Sequence, residues 1–240
     1  MAWERASARW TRTIVCVSSD EQRLGESVGI RGCFAVMPNG VDLSRWPVAS
    51  AEDRAEARRH LGLDEGPLAV CVGRLSEQKG QDVLLKAWGQ VANSVPSAEL
   101  ALVGEGPARA ELESGAPARV RFAGKRDDVD AWVAAADVVV VPSRWEAGLS
   151  LVLMEAMARG RSVVATEVAG TREGLEGGCG RVVATEAVQP LAEALVERLS
   201  DPSLAAREGV AGRRRIEERH DLARTSARMA DLYESVIGRG

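Results

Sequence analysis

No apolar run in this chain of 240 residues approaches the ~18 that a membrane-spanning helix needs, so no transmembrane segment is expected. The opening residues MAWERASARW carry charge but no apolar core, unlike a secretory signal. The expected location is therefore cytoplasmic, with peripheral attachment to a membrane left open. Aromatic residues are few, and most of them are tryptophan. Cys16, Cys33, Cys71 and Cys179 form no C-x-x-C pair, and Cys16 and Cys71 lie inside apolar runs. They read as small buried thiols in a reducing compartment. His60 and His220 stand alone, which argues against a zinc site. The net charge is −4, so the chain has no general attraction to nucleic acid or anionic membrane. No repeat or low-complexity segment is visible.

What is present is an alternation. Apolar runs of four to six residues are followed by helix-period segments over most of the length. TIVCVSS (13–19), CFAVM (33–37), LAVCV (68–72), AELALV (98–103), RVRFAG (119–124) and DVVVVPS (137–143) read as strands, and RSVVATEVAG (161–170) as a strand and loop. Helices are expected over 52–63, 80–93 and 149–159, near 128–136 and 187–201, and through 204–237. Strand and helix in turn imply a parallel sheet with helices on both faces. Continuous apolar strands such as AVCV and DVVVV fit burial of both sheet faces. In such open sheets ligands sit beyond the carboxyl ends of the strands, so the residues after each strand carry the chemistry.

After LAVCV comes GRLSEQKG (73–80). Gly73 permits a tight turn. Arg74 and Lys79 bracket the loop just before a helix. A guanidinium fork, an ammonium and free helix-start amides together suit a diphosphate, although an arbitrary pair of cations is more often merely solvated. GEGP (104–107) offers close backbone approach or a plain turn. It is no dinucleotide fingerprint, because Arg109 stands at the third glycine position. In KRDDVD (125–130), Asp128 and Asp130 are spaced as a metal pair could be, but Asp127 or Asp128 more readily caps the next helix. No metal is expected. After DVVVV comes SRWEAGLSLVLMEAMARG (143–160). Its amides at Gly148, Leu149, Ser150 and Leu151 would face the crevice at the positive end of a helix starting near Leu149. Glu155 lies further along, amid Leu151, Met154 and Ala158. It either escapes to water at the helix edge or accepts hydrogen bonds from vicinal hydroxyls of a ribose.

Five stretches, NGVD (39–42), VGRLSEQKG (72–80), LVGEGP (102–107), RFAGKRDDV (121–129) and VVPSRWEAGLSLVLMEAMARGRSVVATEVAG (140–170), occur in one order. Together they resemble the retaining nucleotide-sugar glycosyltransferases of the family-4 type, whose GT-B fold pairs two Rossmann-like domains. The resemblance covers residues 13 to 200 and implies that Arg74 and Lys79 hold the donor diphosphate. It also implies that Glu155 binds the ribose, that Lys125 and Arg126 lie along the base, and that Gly73, Glu146 and residues 148–151 line the sugar and phosphate. Arg74, Lys79 and Glu146 would be the catalytic groups. The donor would be a nucleoside-diphosphate sugar, used as substrate, with no cofactor.

Two departures stand out. The family spaces its paired glutamates eight apart, but position 147 is Ala147, so Glu146 is one residue early. The acceptor-side domain is also expected to be largely missing. On that reading residues 1–42 are its remnant and hinge, 43–202 the donor-binding domain, and 203–240 helices packing back toward the N-terminal side. The expected activity is retaining sugar transfer to an unknown acceptor, weak or nil without the other half. A separate chain supplying that half would then be a partner. A non-catalytic or split-subunit binding module is the main alternative. An epimerase on the same scaffold comes next, and a dehydrogenase is the poorest reading.

Overall fold

The computed structural model describes residues 2–238. In chain order the elements are α1 (Ala2–Ser7), β1 (Ile14–Cys16), α2 (Ser19–Ser27), β2 (Phe34–Val36), α3 (Ala51–Leu61), β3 (Leu68–Val72), α4 (Gln81–Ser94), β4 (Glu99–Val103), α5 (Arg109–Ser114), β5 (Val120–Gly124), α6 (Val129–Ala135), β6 (Val138–Val141), α7 (Leu151–Ala158), β7 (Ser162–Thr166), α8 (Thr171–Gly174), β8 (Gly180–Val183), α9 (Val188–Ser200), α10 (Pro202–Arg219) and α11 (Leu222–Ile237). Strands β3 to β8 form one six-stranded sheet in the order β5-β4-β3-β6-β7-β8, and every pairing is parallel. Strands β1 and β2 make a separate parallel pair.

The apolar runs explain the layering. Val138 to Val140, Ala69 to Cys71 and Leu100 to Leu102 are essentially without solvent contact. A strand with apolar residues on both faces needs cover on both. One layer packs Trp132, Leu153, Met154, Met157 and Ile216 from α6, α7 and α10 against the sheet. The other packs Leu84, Trp88, Leu191 and Leu195 from α4 and α9. Local signals set the helix ends. Ser50 and Asp53 form a reciprocal capping box at the start of α3, and Gly62 closes that helix in the left-handed conformation. Asp201 caps α10 just before Pro202.

Beneath α10, Glu208 receives both ends of the Arg198 guanidinium, at 2.8 and 2.6 Å, and the Ser162 hydroxyl at 2.5 Å. All three residues are buried. This knot joins α9, α10 and the first residue of β7. At the hinge, Val41 bridges to Asp221 in strand fashion, with N–H to O distances of 2.8 and 3.1 Å on its two sides. The His220 imidazole lies buried there, its Nδ1 3.1 Å from the Asn39 carbonyl. Burial holds it below its ordinary value, partly offset by that carbonyl.

Several local expectations needed correction. Val15 is 43% exposed, so β1 is not buried on both faces. Among the described residues its one strand neighbour is β2. Cys33, just before β2, is exposed, unlike the other three thiols. Asp128 occupies the position before α6 but makes no side-chain cap, since its carboxylate is taken by Arg126 and His60. Helix α7 begins at Leu151 rather than Leu149. Ser150 is extended, and the Leu149 side chain turns into the core at 6% exposure.

Two outcomes are expected in unfolding experiments. Glu208→Ala leaves a buried guanidinium unpaired and should cost about 3–5 kcal/mol by denaturant titration. His220 has a depressed value in the folded chain, so its share of stability is whole above the unfolded value and is lost as pH falls below it. Unfolding midpoints should therefore drop between about pH 7 and pH 5, and His220→Gln should flatten that slope.

Candidate functional site

Strand order turns between β3 and β6. The connection after β3 leads toward β4 on one side, and the connection after β6 leads toward β7 on the other. The crevice between the two loops is where a sheet of this kind takes a ligand. The first loop contains Gly73, Arg74 and Lys79, and the second contains Ser143 to Ser150.

The first loop is anchored from below. Leu75 is buried, and its amide donates to the Glu105 carbonyl at 3.0 Å. Gln81, also buried, donates through Nε2 to the Arg74 carbonyl at 3.0 Å. The backbone at Arg74 is thus fixed while its guanidinium projects into solvent, without a partner among the described residues. Gly104 sits so close that a Cβ there would lie 2.0 Å from the Gly73 carbonyl oxygen. Lys79 ends a 3-10 turn, Glu77–Lys79, and α4 starts immediately after. Gly80 has φ +63°, and a Cβ on it would lie 2.1 Å from the Pro142 carbonyl oxygen. The backbones of the two loops therefore touch, which requires a glycine on grounds of both space and conformation.

The second loop is tied to the first. Arg144 donates as a fork to both oxygens of Asp82, at 2.8 Å each, and to the Glu77 carbonyl at 2.7 Å. It also ion-pairs with Glu186. The Arg144 amide donates to the Gln78 carbonyl at 2.8 Å, and Gln78 Nε2 donates to the Trp145 carbonyl at 3.1 Å. These contacts bring Glu146 to Lys79. The two side chains ion-pair, and Ser143 Oγ donates to the same Glu146 oxygen at 2.8 Å. Arg144 was not singled out from sequence. Its position directly after an apolar strand was the available signal, but nothing in its spacing pairs it with Asp82 or Glu186.

Past Glu146, Gly148 packs against Val17, and a Cβ there would meet its Cγ2 at 2.6 Å. The helix start shifts accordingly. The amides of Ser150 to Leu153 have no backbone acceptor among the described residues, and Met154 is the first to bond back, to Ser150 at 3.1 Å. Glu155 stands about 7 Å along the axis from Ser150 at the ordinary helical rise. It is half-buried, and its carboxylate has no hydrogen-bond partner among the described residues. Burial raises its pKa above the ordinary carboxylate value, and Arg45 offsets this in part.

Lys125 and Arg126 follow β5, an edge strand separated from β3 by β4. Arg126 closes on Asp128 at 2.8 and 2.6 Å, holding that carboxyl down to about 2. Lys125 is exposed and unpaired among the described residues. Asp130 faces Arg159 at 3.4 Å. The two carboxylates read as a possible metal pair thus each face a cation, and the described residues contain no cluster of three metal-capable side chains.

An unpaired, half-buried carboxylate costs stability. With its folded value raised, Glu155 contributes fully below its unfolded value and loses that contribution as pH rises through the folded one. Glu155→Gln should therefore raise the thermal midpoint of the ligand-free chain at neutral pH. The difference should shrink when scans are repeated at about pH 3, where both states carry the proton.

The family model described as Glycosyl transferases group 1 matches residues 66–201, from just before β3 to the end of α9. The GDP-mannose-dependent monoacylated alpha-(1-6)-phosphatidylinositol monomannoside mannosyltransferase of Corynebacterium glutamicum is 33% identical over 89% of this chain and 59% of its own length. A GDP-mannose-dependent alpha-(1-6)-phosphatidylinositol monomannoside mannosyltransferase of Mycolicibacterium smegmatis is 34% identical over 88% of this chain and 58% of its own. The chain thus spans about three fifths of these curated relatives. Among solved structures, Anabaena Alr3699/HepE in complex with UDP and glucose superposes with a TM-score of 0.88 at 25% identity, over 98% of this chain and 66% of that one. Sucrose-phosphate synthase from Thermosynechococcus elongatus gives 0.83 at 26%, over 95% of this chain and 59% of that one. The parallel sheet with its two helical layers is the C-terminal half of a GT-B fold, and the chain belongs to the glycosyl transferases group 1 family.

Proposed function

We propose that this chain binds a nucleoside-diphosphate sugar in the crevice between the β3 and β6 loops and serves its transfer, with retention, to an acceptor. One observation carries the reading. A free guanidinium, a lysine and the open amides of a helix start lie on the same lips as an unpartnered carboxylate about 7 Å along α7. The first three suit a diphosphate, and the fourth suits the ribose hydroxyls beside it. Relatives named for GDP-mannose and a neighbour holding UDP support a nucleoside-diphosphate donor, with GDP-mannose the first sugar to try.

Bond cleavage leaves negative charge on the departing diphosphate and positive charge on the sugar. The α7 amides and the backbone under Arg74 are fixed before the reaction, so the amides stabilise the leaving group without reorganising, and the Arg74 and Lys79 side chains add their charge. Lys79 must first give up Glu146. That exchange frees a carboxylate at the sugar end of the crevice, where a polar partner for a sugar hydroxyl is needed. Because Arg144 ties the two loops, the crevice keeps its shape while the ion pair opens.

Calorimetric titration with GDP and UDP tests the reading. Arg74→Ala and Glu155→Ala should each weaken nucleotide binding by about 10–100-fold, the worth of one charge-assisted hydrogen bond. In a transfer assay Arg74→Ala or Lys79→Ala should lower kcat by about 10²–10³. Nucleotide affinity unchanged in both binding variants would overturn it.

A further inference from the structure

At the opposite pole of the sheet, where β3, β6 and β7 begin, lies a cleft of about 260 Å³. Ser50, Arg54, Asp137, Arg161, Pro202 and Ala205 line it. Its charges do not balance. Asp137 is the single carboxylate in the wall, and it is already used three times. It accepts from the Leu68 amide at 2.8 Å, from Arg54 at 2.5 Å and from Arg58 at 2.9 Å. Arg58 is buried behind it and otherwise saturated by the carbonyls of Ala135, Asp64 and Gly66.

Arg161 has no ion-pair partner among the described residues. Its one hydrogen bond is from Nη2 to the Ala49 carbonyl at 3.2 Å. Neighbouring carboxylates are engaged elsewhere: Asp53 accepts the Ser50 amide, and Glu208 is closed on Arg198 and Ser162. Burial, and after it the nearby Arg54 guanidinium, pull the Arg161 value down to about 10, with Asp137 opposing them. A half-buried guanidinium without an ion-pair partner costs stability, and a bound anion would offset that cost. Its planar fork beside that of Arg54 matches the bidentate geometry of an oxyanion.

We propose that the cleft between Arg54 and Arg161 is a binding site for a small phosphate-type oxyanion, separate from the donor crevice. Phosphate brings about two negative charges at neutral pH, which answers Arg161 and the half of Arg54 that Asp137 leaves unpaired.

The test is thermal unfolding of the full chain against inorganic phosphate, at ionic strength held constant with chloride. Glycerol phosphate in a parallel series distinguishes a free ion from a phosphomonoester. Phosphate should raise the midpoint by a few degrees. Arg161→Met should abolish the response, and Arg74→Ala should keep it. A response lost in Arg74→Ala would place the anion in the donor loop and overturn the proposal, as would no response in the wild type. If Arg161→Met does not fold, phenylglyoxal labelling of the wild-type chain, mapped by mass spectrometry, gives an independent reading. Phosphate should protect Arg54 and Arg161 from the reagent, and equal labelling with and without phosphate would overturn the site. Calorimetry with GDP and UDP is read at the other pole, so failure here leaves the donor reading untouched.

Discussion

Adjacent strands whose connections leave in opposite directions cannot share a loop, and the gap they leave is the feature on which this molecule depends. Between β3 and β6 the backbone is pinned so tightly that only glycine fits at residue 80. Everything with chemical potential hangs on that contact. Arg74 and Lys79 ride one lip, Glu146 and the start of α7 the other, and Arg144 sews the two together. A parallel sheet buried on both faces supplies the rigidity, since a strand lacking solvent on either side has little freedom to shift.

Much of this was legible in sequence. The continuous apolar runs gave the sheet and its layers, and the punctuation after each run gave the loops where ligands sit. What escaped was long-range pairing. Arg144 meets Asp82 and Glu186 across more than forty residues in either direction, and no local period encodes that. The start of α7 was misplaced by two residues, because Leu149 reads equally well as a first helical residue or as a core plug. Only the packing of Val17 on Gly148 and of Leu149 on Gly174 decides it. Asp128 looked like a helix cap, but Arg126, two residues before it, and His60, brought in by the fold, take its oxygens instead.

The charges of the crevice and those of the rest of the chain follow different rules. Elsewhere, the buried Arg198 is closed into a complete set with Glu208 and Ser162, and the open cleft is that of Arg54 and Arg161 at the opposite pole. In the crevice, Arg74 and Glu155 are left open among the described residues, and Lys79 and Glu146 hold each other in reserve. Such incompleteness opposes stability, and the surrounding packing tolerates it. Charged groups left unsatisfied in a crevice mark where a partner molecule would complete it.

The bridge between Val41 and Asp221 has a topological meaning. The polypeptide enters the six-stranded unit and departs from it at a single point, two paired backbones side by side. The intervening residues form a closed excursion whose ends already touch. Touching ends are the geometry that domain insertion and circular permutation require, because neither neighbour in a host chain need be stretched. The architecture is modular because its doorway is one strand-width across.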